Sequence, residues 1–171
     1  MKKALLRFAL AWLVINCTLL TSKAQYITIT DTNFLNKLIA LGYSPCLNGN
    51  LLDTTCNKVL TDTVLNVSNN SSTPDSLKIH DLTAVQYFKA LSILNCSYNL
   101  NTSLPPLPAT LKQLYCEQDS LTALPTLPNA LLCLYCDNNH LTALPILPNS
   151  LKLIIYFELF ELNIDTLEND K

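Results

Sequence analysis

Glycine is nearly missing from this chain, since Gly42 and Gly49 are the two in 171 residues. A glycine-rich loop that cradles phosphate is therefore excluded on composition. Histidine is as scarce: His80 and His140 stand alone, and neither has a partner at a spacing that suits a metal cluster or a catalytic base. Both read as surface residues, and no nucleophilic triad is favoured by spacing. A long apolar run is also lacking. The N-terminal one, Phe8 to Leu20 apart from Asn16 and Thr18, covers 13 positions, short of the roughly 20 that a membrane-spanning helix needs.

That run follows Lys2, Lys3 and Arg7 and precedes Ser22-Lys23-Ala24, the order of an export signal with cleavage after Ala24. Cleavage removes four basic residues and leaves seven against 13 acidic ones, a net charge of −6. Nucleic acid and anionic membranes are disfavoured as partners by that balance. The chain is expected to be secreted or held at the cell surface, with no transmembrane anchor after cleavage.

Against these absences stands a repeat. From Leu104 the chain runs LPPLPATLKQLYCEQDSLTA, LPTLPNALLCLYCDNNHLTA and LPILPNSLKLIIYF, with a period of 20 residues. A fixed period of that size marks a stacked repeat protein. Within each unit LxxLxC alternates, so Leu91, Leu94 and Cys96, then Leu111, Leu114 and Cys116, then Leu131, Leu134 and Cys136 point inward along short strands. Leu151 and Ile154 begin a fourth unit. Successive strands are expected to stack in parallel about 4.8 Å apart. Pro105, Pro106, Pro108, Pro125, Pro128, Pro145 and Pro148 fall on the return path, which is then extended instead of helical.

Ahead of the repeats, Tyr26 to Thr30 alternates like a strand, and Asp31 or Thr30 can cap a helix carrying Phe34, Leu35, Leu38, Ile39 and Leu41 and stopped by Gly42. Such an element covers the open end of a solenoid core. Cys46 and Cys56 bracket a polar, turn-rich loop with little core of its own. In an exported chain they read as a disulfide, the alternative being a metal site to which Asp53 alone adds a ligand. Ser71 to Lys78 reads as a polar insertion before Ile79, Leu82 and Val85.

The asparagines after the strands, Asn99 and Asn139, are expected to turn inward and satisfy backbone groups as a ladder. Asp119 takes their place in the middle unit, which weakens that rung because a carboxylate lacks donors. Asn101 stands where Leu121 and Leu141 stand, and a local shift that buries Leu100 instead is expected. Cys96, Cys116 and Cys136 read as core packing against a metal or redox role. Cys133 points to the concave face as a lone thiol.

Tyr115 and Tyr135 occupy matching outward positions, with Asn95 before them and Gln113, Glu117 and Asp137 beside them. Tyrosines suit recognition surfaces, so Asn95, Gln113, Tyr115, Glu117, Tyr135 and Asp137 form the candidate ligand-binding face. The alternative is that the two rings stack to stabilise the sheet. No catalytic residue, metal ligand or cofactor is expected.

The motif LxxLxCxxNxLTxLPxLPxx resembles the short bacterial subclass of leucine-rich repeats. Two groups carry it, the enterobacterial type III effectors and the exported leucine-rich repeat proteins of Bacteroidota. The signal, the Cys46 to Cys56 loop and Leu82-Thr83-Ala84-Val85-Gln86-Tyr87-Phe88 are similar to the second group. The resemblance implies an α/β leucine-rich repeat solenoid with a curved parallel sheet, an extended proline-rich convex side and an N-terminal helical cap. Residues 1–24 are then the signal peptide, 25–61 the cap with its disulfide loop, 62–156 the repeats, and 157–171 an atypical cap or truncated end. The expected function is non-enzymatic binding of a protein or glycan. The alternative is a recognition fragment of a larger secreted enzyme, or a truncated gene product, which the downstream reading frame would distinguish.

Overall fold

The computed structural model describes residues 25–155. Residues 1–24, expected from the sequence to be an export signal, and residues 156–171 lie outside them. Two sheets organise these residues. The first is antiparallel, with β1 (Tyr26–Thr28), β2 (Leu47–Asn48) and β3 (Leu51–Asp53) in the order β1-β3-β2. The second is parallel, with β4 (Val64–Asn66), β5 (Ile93–Asn95), β6 (Gln113–Tyr115), β7 (Cys133–Tyr135) and β8 (Leu153–Ile155) in chain order. Each strand of the second sheet opens one coil of a solenoid.

The parallel register follows the repeat. Leu65, Leu94, Leu114, Leu134 and Ile154 are successive partners, so one inward residue lies on the next. The cysteine column continues the ladder: the Cys96, Cys116 and Cys136 amides donate to the carbonyls of Tyr115, Tyr135 and Ile155 at 2.9, 2.9 and 3.0 Å. Val67, fully buried, takes the cysteine place in the first coil. The proline-rich returns form no helix, and each ends in a turn in which the Leu111, Leu131 or Leu151 amide donates to the carbonyl of Pro108, Pro128 or Pro148 at 3.0 Å. Proline supplies no amide of its own but keeps its carbonyl, which explains its place there.

The helix α1 (Thr32–Ala40) starts and stops as its sequence dictates. Asp31 accepts the Phe34 amide at 2.8 Å as N-cap. At the other end Gly42 adopts φ +83°, while the Gly42 and Tyr43 amides donate to the Ile39 and Leu38 carbonyls, a paired closure that requires a left-handed residue. Phe34 and Leu38 face inward and join Leu65, Val67 and Leu94 in one continuous core. A short second helix, α2 (Asn57–Thr61), leads into β4 and was not expected from the sequence.

The Cys46–Cys56 disulfide is present. The segment it brackets is a hairpin rather than a loop: β2 and β3 pair around Gly49-Asn50, with Gly49 at φ +62°. It also contributes to the core, since Leu52 is fully buried. The polar insertion is held down by α1. Asn33 donates to the carbonyls of Ser76 and Lys78 at 3.1 and 2.8 Å, Lys37 to that of Ser68 at 2.8 Å, and the second carboxylate oxygen of Asp31 accepts the His80 amide at 2.7 Å. Tyr43 braces the same junction. Its ring packs edge-on against Phe88 at 5.4 Å, and its hydroxyl donates to Asp62 at 2.6 Å. Burial and that bond push the phenol well above its usual range. Burial alone would raise Asp62, yet the bonds from Lys58 and Tyr43 outweigh it and hold the carboxyl below its ordinary value.

The three coils opened by β5, β6 and β7 each bend at one residue with positive φ: Tyr98 at 60°, Gln118 at 56° and Asn138 at 54°. Asparagine adopts this region at lower cost than glutamine. Gln118→Asn is therefore expected to raise stability by about 1 kcal/mol, read as a higher denaturant midpoint, and an unchanged or lower midpoint would contradict the strain.

Candidate functional site

Alternation along β4 to β8 leaves two columns of side chains on the open face of the parallel sheet. One is Val64, Ile93, Gln113, Cys133 and Leu153; the other is Asn66, Asn95, Tyr115, Tyr135 and Ile155. Tyr115 and Tyr135 are half-buried and stacked, with ring centroids 4.7 Å apart and planes 19° from parallel. The Tyr115 hydroxyl donates to Gln113 Oε1 at 3.1 Å. Partial burial, with Tyr135, Cys133 and Glu117 beside it, raises the Tyr115 phenol. Both sequence-based readings of the pair thus have a physical counterpart: the rings stabilise one another, and their edges and hydroxyls remain on the face.

The flanking residues divide by what already engages them. Asn95 Oδ1 accepts the Ser97 amide at 3.1 Å and so shapes the strand exit. Asp137 accepts from the Asn138 amide group at 2.5 Å. Glu117 is half-buried, and its Oε2 is shielded without a partner. The strand-entry side of the face is a shallow groove lined by Val64, Ser92, Ile93, Thr110 and Lys112. Val64 is 53% and Leu153 41% exposed. The face is therefore more apolar than the tyrosine-centred expectation, although Ile93 and Leu153 share the Gln113 column and were readable from the same period.

Cys133 is half-buried in the Gln113 column, as its phase requires. The thiols of Cys96 and Cys116 are buried, approach the Tyr115 and Tyr135 carbonyls at 3.4 Å, and are pushed well up by burial first, followed by Asp119 and Glu117 for Cys96 and by the flanking Cys96 and Cys136 ahead of those carboxyls for Cys116. Buried neutral thiols of this kind are inert core residues. The metal alternative at the Cys46–Cys56 hairpin closes, because those sulfurs are bonded to each other and Asp53 Oδ1 is engaged by Thr55. Among the described residues no group of three or more His, Cys, Asp and Glu is placed to hold a metal ion. His80 and His140 are exposed.

The asparagine ladder holds, with one correction. Asn99 Nδ2 donates to the Val67, Cys96 and Ser97 carbonyls at 3.2, 2.7 and 3.4 Å. Asn139 Nδ2 donates to those of Cys116, Cys136 and Asp137 at 2.7, 3.1 and 3.3 Å. No shift buries Leu100. Asn101 is itself fully buried, and its backbone and side-chain N–H groups donate to Asp119 Oδ1 at 2.8 and 3.0 Å. A buried acceptor one rung away rewards a buried amide where leucine stands elsewhere.

Neither a protein-family model nor a curated protein matches this chain. Among solved structures it is similar to one described as the structure of a Shigella effector LRR domain, with 37% identity over 59% of this chain and a TM-score of 0.41. The match covers 44% of that protein, so this chain spans less than half of its length. Among the described residues no helix is long and apolar enough to cross a membrane.

Proposed function

We propose that the chain is an exported leucine-rich repeat binding module of the Bacteroidota type, in which residues 25–61 cap the solenoid and residues 62–156 present the binding face. Gln113, Tyr115, Glu117, Tyr135, Asp137 and Asn95 contact the partner, and the reading includes no catalytic step and no cofactor. The observation that carries it is the stacked Tyr115–Tyr135 pair on a regular open sheet face, flanked by exposed apolar residues and by carboxylates at the strand exits. Each ring already uses one face in the stack. The other face of each ring is turned toward its register neighbour on the flanking strand, Asn95 or Ile155, so edges and hydroxyls are left, together with Ile93 and Leu153, which suits a protein surface better than a sugar ring. A glycan remains the second outcome of the test.

Tyr115→Ala combined with Tyr135→Ala is expected to weaken capture of a surface protein partner by at least about tenfold, the loss typical of an aromatic hot spot. Ile146→Ala, at a side chain 94% exposed on the return path, serves as the control and is expected to leave capture unchanged. Equal capture by wild type and the tyrosine variant, in a protein that keeps its fold, would sink the proposal.

A further inference from the structure

Among the described residues, the buried side-chain polar atoms without a hydrogen-bond partner are Ser97 Oγ, Asn101 Oδ1, Glu117 Oε2 and Asp119 Oδ2. All four lie on two adjacent coils. The repeat explains one of them. In the last full coil Asn139 Oδ1 accepts the Leu121 amide at 3.0 Å, and one coil earlier Asp119 Oδ1 accepts the equivalent Asn101 amide. Asp119 Oδ1 thus takes the role of the amide oxygen, and Oδ2 takes the place of the amide nitrogen. There its neighbours donate to the carbonyls of their own coil and the preceding one, which for Asp119 are Cys96, Cys116 and Glu117. An ionised oxygen can only set lone pairs against lone pairs at that point.

We infer that Asp119 holds a proton on Oδ2 in the folded protein and acts as a pH-sensitive rung of the ladder, donating as asparagine does when protonated and loosening the solenoid when that proton leaves. By the pattern of Asn139 the acceptors are the Cys116 carbonyl on the same coil and the Cys96 carbonyl on the preceding one, where the orphan Asn101 Oδ1 also lies. The charged and titratable surroundings agree. Burial pushes the Asp119 carboxyl up to about 7; the bonds from Asn101 lower it, Glu117 on the same coil raises it, and Lys78 from the insertion lowers it. The thiols of Cys96 and Cys116 sense the same group from the core side.

The sign of the effect is fixed by which state holds the proton. Between the unfolded carboxyl value and the folded one, the folded chain binds more protons, so the contribution is complete at low pH and is lost as pH rises through about 7. Asp62 and Asp81, both held below their ordinary value, act in the opposite direction at acid pH. A comparison with Asp119→Asn cancels them. The ratio of folding constants, variant over wild type, is expected to grow by about a hundredfold between pH 5 and pH 8. A ratio constant to within about threefold would overturn the proposal. Carbon NMR titration of the Asp119 carboxyl in the wild-type protein gives an independent reading: a midpoint near neutrality supports the proton, and one at an ordinary carboxylate value refutes it. The inference stands whether or not the tyrosine face binds a partner.

Discussion

Leu114→Ala is expected to lower stability by about 2–5 kcal/mol, the largest effect of any single substitution considered for this chain. Leu114 is fully buried in β6, the central strand, and lies in register between Leu94 and Leu134. The deleted methyl groups leave a cavity that cannot collapse easily, because parallel ladders on both sides fix the spacing between coils. Each coil also contacts only its neighbours, so a weakened central coil uncouples the two halves. Urea unfolding followed by circular dichroism checks this, with a broadened or two-step transition as a second expected sign. A loss below about 1 kcal/mol would mean that the column is not close-packed.

Removal of the disulfide by Cys46→Ser with Cys56→Ser is expected to cost about 3 kcal/mol. The two cysteines are 10 residues apart in sequence, which gives a short closed loop, and Cys46 is 2% exposed, so a serine hydroxyl there also enters an apolar site. The consequence extends beyond the hairpin. β3 carries the buried Leu52 and pairs with β1, and the chain between β1 and β2 is α1, whose Asp31, Asn33 and Lys37 hold the polar insertion. Loosening that unit uncovers Leu65 and Val67 in the first coil. A reductant should lower the denaturant midpoint of the wild type and leave that of the double variant unchanged. Equal midpoints for all three states would contradict the structural role.

The coils were legible because period-2 alternation and a 20-residue repeat act together: once Leu94, Leu114 and Leu134 are inward, the register of β5 to β7 follows. The tyrosine column follows by the same phase. Less regular sequence was read less well. Leu47 to Asp53 carries turn residues that mark a loop, yet Gly49 closes a hairpin and tertiary contact buries Leu52. The misjudged residue within the repeat was Asn101. Local pattern assigns that place to leucine, and only the knowledge that Asp119 lies one coil above explains why an amide is favoured there. Tyr98 and Gln118 at positive φ have no sequence signal at all, since only Asn138 is a residue type that favours the bend. The pinning of the insertion by α1 spans more than 40 residues of chain and is equally invisible to a local reading.

The claim on which all of this depends is the vertical stacking of coils 20 residues apart with the tyrosines outside. Methyl and aromatic nuclear Overhauser contacts in solution test it most directly. Contacts are expected from Leu94 to Leu114, Leu114 to Leu134 and Leu134 to Ile154, with a ring contact between Tyr115 and Tyr135 and none between Leu94 and Leu134. Contacts confined to residues three or four apart, with no cross-peaks at the 20-residue interval, would contradict it.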